Sequence, residues 1–373
     1  MRSLPVIPLY KPHIPQGAGA AIQAVLESEQ ISGDGRLPEF EDRLRDFIGA
    51  HHLAATGEFS RTIEMALRVA GVGPGDSVLL SPLACLASTM PLLQVGAKAV
   101  WCDVDVRTGS LDPDEIRRKT SASVKAVLFY HWVGVPGDVD RLQQTAADAD
   151  LKVIEDAGEA LGAEYDGTRV GAHGSDFTVF SFSPVRHLTT GEGAAVACRE
   201  PDADAAVRLW RRYGIPASGF RDRMGEISPE CDVVVPGMHN YMNRIAGALG
   251  TLQMACLPRL VERHQANGRF FDERLADVDG LSLLSRDNGR TPSHWVYCFL
   301  CERRDDLRRV LREAGIYAST VHLRNDIYSC FGAARCELPG VDEFSRRQLC
   351  IPCGWWVTDE DRESIVETIR GGW

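Results

Sequence analysis

The sequence predicts an α/β protein, a mostly parallel sheet sandwiched by helices, and three observations carry that expectation. Apolar runs of strand length alternate with helix-like segments from about residue 50 to 200, the rhythm of strand, helix and returning strand. Turn-forming stretches separate them, among them Gly71-Val72-Gly73-Pro74-Gly75-Asp76 and Gly134-Val135-Pro136-Gly137-Asp138. An acidic residue, Asp156, closes one of the apolar runs, which is where an open α/β sheet presents its ligand contacts.

In chain order the strand runs are Ser77–Leu80, Ala99–Cys102, Ala126–Phe129 and Leu151–Ile154. From Ile245 the character changes: one long helical pattern extends to Leu275, and short strands and helices follow to Trp373. The expected division is therefore a large domain over 1–244, including an N-terminal arm, and a smaller C-terminal α+β domain over 245–373. Neither an internal repeat nor a low-complexity tract interrupts the chain.

A chain of 373 residues that is 44% hydrophobic can bury a large core. Acidic residues outnumber basic ones, 52 to 41, without a basic run, so nucleic acid is not an expected partner. With no block of eighteen apolar residues and no signal-type segment, a cytoplasmic protein that does not enter membranes is expected. Eleven scattered cysteines suit reduced thiols. Cys298/Cys301 and Cys350/Cys353 have the spacing of metal ligands, but the first pair lies on a strand pattern and Pro352 interrupts the second. Buried apolar thiols are expected there, and no metal.

The chemistry concentrates in Val153 to Ala163, which holds Glu155-Asp156 and Glu159, and in Phe180 to Gly193, which holds Ser181-Phe182-Ser183-Pro184-Val185-Arg186-His187. Asp156 reads either as a ligand contact or as the N-cap of a following helix. These two motifs and their separation resemble the DegT/DnrJ/EryC1/StrS family of sugar aminotransferases. Gly73-Pro74-Gly75-Asp76, Asp103-Val104-Asp105, His131 with Gly134, Gly237 to Leu249, and Ile351-Pro352 extend the similarity over nearly the whole chain.

The resemblance implies the fold type I architecture of PLP-dependent transferases, in a homodimer with its cofactor sites near the subunit boundary. Asp156 would pair with the pyridine nitrogen and keep the ring an electron sink. Ser181 would contact the phosphate, and the helix beginning near Ser60 would turn its free N–H groups toward it. Several positions depart from the family's pattern. Arg186 matches the Schiff-base lysine, and a guanidinium with a pKa above about 12 is a poor nucleophile. Glu58-Phe59-Ser60 matches a small Ser-Gly-Thr phosphate loop, so a charge and a ring stand where an anion belongs. Cys85 falls where many members stack an aromatic ring, Glu159 where glutamine or histidine is usual, and His239 where the neighbouring subunit offers asparagine or lysine.

His187 is a candidate base, although one residue's shift along an extended segment turns it to the other side. Arg186 could hold a carboxylate while Glu159 or His187 moves protons. The expectation is an aminotransferase-like transferase or lyase lacking the PLP lysine, with PLP or PMP held non-covalently or absent. Its substrate would be a small anionic or sugar-linked molecule from sugar or natural-product biosynthesis. The alternative is a catalytically silent homologue that binds a ligand or regulates an active relative in a heterodimer.

Overall fold

Seven strands form the central sheet of the computed structural model, which describes residues 6–32, 37–287, 289–332 and 335–373. In chain order the strands are β1 His52–Thr56, β2 Ser77–Leu80, β3 Lys98–Trp101, β4 Val124–Tyr130, β5 Lys152–Asp156, β6 Glu164–Tyr165, β7 Thr168–Arg169, β8 Phe177–Ser181 and β9 Ala194–Cys198. The sheet order is β1-β9-β8-β5-β4-β2-β3, with β6 and β7 forming a separate small hairpin. Strands β8, β5, β4, β2 and β3 are parallel neighbours, whereas β9 runs antiparallel to both β8 and β1. Strands β2, β8 and β9 are buried along their whole length, as strands covered on both faces are.

This connectivity sets the site. A strand antiparallel to β9 is parallel to β8, so β1 points the same way as the five parallel strands, and Thr56 and Ser181 both pair with Ala194. The ends of β1, β4, β5 and β8 therefore share one carboxyl edge, where Thr56, Tyr130, Asp156 and Ser181 come together. The first helices, α1 Ala18–Glu27, α2 Leu37–Ile48, α3 Phe59–Val69 and α4 Leu86–Gln94, include two that start at this edge. Helix α3 follows β1 after two residues, and α4 is capped by Cys85, just beyond β2.

The sequence-derived strand runs lie within two residues of β2 to β5 at each end. The single long helix expected from Ile245 to Leu275 is instead two, Arg244–Met254 and Leu257–Leu275. Pro258 explains the break: it has no N–H to continue the first helix but fits the opening turn of the second.

Three further strands, β10 Leu281–Leu283, β11 Tyr297–Cys301 and β12 Gln348–Ile351, form an antiparallel sheet. It has a core of its own around Phe271, Phe299, Leu307, Leu349 and Ile365. The CxxC cysteines divide by strand pairing: Cys298 sits opposite Cys350, and burial with the neighbouring Cys298 holds the Cys350 thiol well above its ordinary range. The segment before β11 joins the sheets. Ser293 N–H donates to the Gly134 carbonyl at 3.0 Å, Trp295 N–H to that of Val133 at 3.2 Å, and the Trp295 indole to that of Val185 at 2.5 Å.

Two positions fix how the frame meets the edge. Buried Glu41 on α2 accepts from the Ala55 N–H at 2.8 Å and pairs with Arg211 at 2.8 Å and Arg208 at 3.0 Å. Removing one partner of a buried pair leaves the other charge uncompensated. Glu41→Ala should therefore lower unfolding free energy by about 3–5 kcal/mol in urea titration. Gly134 has φ +91, and a Cβ there would stand 2.7 Å from both the Glu159 carbonyl oxygen and Ser293 Oγ. Gly134→Ala should cost about 1–3 kcal/mol by the same measurement, since the backbone carrying Glu159 would have to shift.

Candidate active site

Three side chains meet around one buried carboxylate at the sheet's carboxyl edge. Glu159, three residues beyond β5, receives Arg186 Nη1 on Oε1 at 2.7 Å and His322 Nε2 on the same oxygen at 3.3 Å. Tyr130, the last residue of β4, donates its hydroxyl to Oε2. The side chain of Glu159 is 1% exposed and that of Arg186 12%. Burial alone would raise the Glu159 pKa. The Arg186 guanidinium, with His322 and Tyr130 added, reverses this and lowers it to about 2. Burial works against the Arg186 charge in turn, and Glu159 with Tyr130 and Cys85 more than offsets it, holding the guanidinium above its ordinary range.

Aromatic rings wall this cluster. The Arg186 guanidinium carbon lies 4.5 Å from the centre of the Trp295 ring, a cation over a π face. Tyr10 stacks on Trp295 at 5.1 Å, with the planes 10° apart, and His322 lies nearly parallel to Trp295 at 6.5 Å. Cys85 is half-buried beside them, close enough to feel Arg186, Glu159 and Asp156, and burial raises its thiol pKa.

Asp156 closes β5 as the sequence suggests. Its Oδ1 accepts from the Gly158 N–H at 3.0 Å, while Oδ2 is buried with no partner in hydrogen-bond geometry among the described residues, the Ser88 hydroxyl lying near the carboxylate. Burial raises its pKa, against the opposing pull of the Ser88 hydroxyl and the Gly158 N–H. An orphan carboxylate oxygen in this position fits a ligand's N–H or O–H, and to that extent the pocket fits a pyridine nitrogen. Among the described residues Arg186 Nε is likewise buried without an acceptor, so one cluster holds an unused acceptor and an unused donor.

The other end differs. Glu58 is the N-cap of α3, and its carboxylate accepts from Ser60 N–H at 2.9 Å and Arg61 N–H at 2.7 Å. These are the N–H groups expected to face a phosphate, and they already hold an anion. Asn240 fixes the loop, accepting from Glu58 N–H at 2.8 Å and donating to Thr62 Oγ1 at 3.0 Å. Phe59 is buried and packs on Gly158, where a Cβ would stand 3.2 Å from the ring's Cζ and 3.1 Å from Asp156 Oδ1. A carboxylate at the anion position and a ring packed on Gly158 beside Asp156 do not fit PLP at its phosphate end.

The remaining sequence candidates divide. Ser181, buried at the end of β8, accepts from Ser183 N–H at 3.4 Å. His239 is exposed, with its ring 5.6 Å from that of Tyr213. His187 leaves the cluster: its Nε2–H donates to the Ser293 carbonyl at 3.0 Å and its ring lies 4.6 Å from that of His264. Burial, with His264 alongside, drives its pKa well below 6.5. His131 is also structural, donating from Nε2 to Glu155 at 2.7 Å and accepting from the Gly137 N–H at Nδ1 at 3.3 Å. Sequence reasoning missed Tyr10, Tyr130, Trp295 and His322. Only Tyr130 carried a signal, since like Asp156 it ends an apolar run.

Known proteins share this arrangement of elements. The sugar aminotransferase CalS13 from Micromonospora echinospora superposes with a TM-score of 0.93 at 34% identity, over 98% of this chain and 100% of that one. AtS13 from Actinomadura melliaura superposes with a TM-score of 0.94 at 33% identity over the full length of both. The dTDP-4-dehydro-2,3,6-trideoxy-D-glucose 4-aminotransferase of Saccharopolyspora spinosa is 29% identical over 98% of this chain and 96% of its own length. The profile of the DegT/DnrJ/EryC1/StrS aminotransferase family matches residues 13–370. With its fold type I architecture, the chain belongs to that family.

Proposed function

We propose that this protein serves sugar or natural-product biosynthesis through a pocket that forms no Schiff base with PLP, Arg186 standing in place of the family's lysine. The Arg186–Glu159 ion pair carries the reading. A guanidinium that is buried, paired and stacked on Trp295 stays charged and cannot supply the neutral amine that an imine requires.

The chain's five lysines give no substitute. Lys119 donates to the Trp101 carbonyl at 2.6 Å, and Lys152 pairs with Asp176 at 3.2 Å. Lys98 and Lys125 lie at or near the amino-terminal ends of their strands, and Lys11 sits 5.4 Å from the centre of the Trp355 ring.

The unused acceptor at Asp156 and the unused donor at Arg186 favour an active ligand pocket over an inert remnant. They suit a small molecule offering an N–H or O–H at one end and an anionic or oxygen-rich group at the other, as a sugar-linked keto acid or keto sugar would. Glu159, held at about 2, stays ionised at neutral pH and acts as the counter-ion of Arg186. The occupied N-terminus of α3 favours a second reading, a catalytically silent subunit paired with an active relative. Co-purification of a second family member would distinguish the two.

Protein incubated with PLP should show no stoichiometric visible band that borohydride removes. Such a band, or a PLP-modified peptide from this pocket in mass spectrometry, would overturn the reading. The ion pair also has a pH signature. Glu159 is depressed from 4.5 to about 2, so its contribution is complete above about pH 4.5 and is lost as pH falls toward 2. That contribution is of order 3 kcal/mol. Glu159→Gln should flatten the acid limb of unfolding free energy against pH by about this amount, while lowering stability at neutral pH because Arg186 is left unpaired.

A further inference from the structure

We propose that the Glu58 carboxylate is a built-in anion occupying the position a cofactor phosphate would take, and that it makes the pocket select an unphosphorylated ligand. The inference rests on the reading above, that this cluster is the family's cofactor pocket put to another use.

Four observations converge on it. The Glu58 carboxylate receives two of the free N–H groups at the start of α3, Ser60 at 2.9 Å and Arg61 at 2.7 Å, so those donors and the positive end of that helix already hold an anion. The loop is held in this state from outside, because Asn240 bonds the Glu58 N–H at 2.8 Å, the Glu58 carbonyl at 3.3 Å and Thr62 Oγ1 at 3.0 Å. The Phe59 ring packs against Gly158, whose added Cβ would stand 3.2 Å from the ring and 3.1 Å from Asp156 Oδ1, so a bulky ring stands beside that carboxylate. At the far end Asp156, 1% exposed, has no hydrogen-bond partner on Oδ2 among the described residues, with the Ser88 hydroxyl nearby.

The consequence is a change in ligand charge. A phosphate brought to α3 would meet a carboxylate instead of empty N–H groups, and would have to displace it from two charge-assisted hydrogen bonds. A ligand with no phosphate meets no such cost. It can offer a protonated nitrogen or a hydroxyl to Asp156 while Glu58 stays in place. The same carboxylate keeps the helix capped when the pocket is empty, so α3 gains its cap with no bound anion.

Two probes separate this from the Schiff-base question, because neither carries an aldehyde: pyridoxamine and pyridoxamine 5′-phosphate. Their binding to the full-length wild type is measured by calorimetry at neutral pH, beside Glu58→Ser and Glu58→Ser/Phe59→Gly. Serine is itself a good cap, so α3 should survive the first substitution. Phe59 belongs to the core, so the second variant counts only if it melts cooperatively.

The expected result is no preference for the phosphorylated probe in wild type, and a gain of about tenfold or more in its affinity in a folded variant, with pyridoxamine little changed by Glu58→Ser. A wild type that already prefers the phosphorylated probe by about tenfold overturns the proposal. So do folded variants that gain nothing. A borohydride-sensitive band with PLP, by contrast, would sink the Schiff-base reading and leave the Glu58 result standing.

Discussion

The pocket is organised by one buried ion pair, Arg186 with Glu159, and most of its other features follow from keeping that pair satisfied. Taking a guanidinium and a carboxylate out of water costs several kcal/mol for each ion, and their attraction repays this only when the remaining lone pairs and protons find partners. Here Tyr130 and His322 supply donors to Glu159, and the Trp295 face covers the cation. These partners come from the end of β4, from the segment entering β11 and from the segment before β12. The pair therefore draws residues far apart in sequence to one edge of the sheet. The Glu159 carboxylate favours a charged partner, so the surroundings of Arg186 suit a permanent cation.

The sheet was legible because its central strands are buried on both faces and show as unbroken apolar runs between glycine-rich turns. Asp156 was legible for a related reason, a charge at the end of such a run having few explanations. Tyr10, Trp295 and His322 were not, because they reach the cluster through tertiary packing and belong to no local pattern. The helix from 245 to 275 was misread as continuous because its periodicity survives across Ala255 and Cys256, and only Pro258 marks the restart. Glu58 shows a different limit. Its charge was visible as foreign to a phosphate loop, but a sequence does not say that the side chain would fold back onto its own helix.

Arg186 and His187 lie not on the extended segment expected but in a turn closed by the Arg186 N–H on the Ser183 carbonyl at 3.1 Å, and one residue there decides a role. Arg186 faces the Glu159 carboxylate, whereas its neighbour is drawn into the contacts of Ser293 and His264, where burial keeps it uncharged. Neighbouring polar residues that look interchangeable in sequence thus serve separate ends, one the pocket and the other the seam beneath it.

That seam has a mechanical consequence. Ser293 and Trp295 are bonded to Val133, Gly134, Glu159, Val185 and His187, so a swinging motion of the second sheet away from the first would tear the pocket's own wall. A fragment ending before Ser293 would lose these bonds, and with them the strap that holds the backbone carrying Glu159 and Val185.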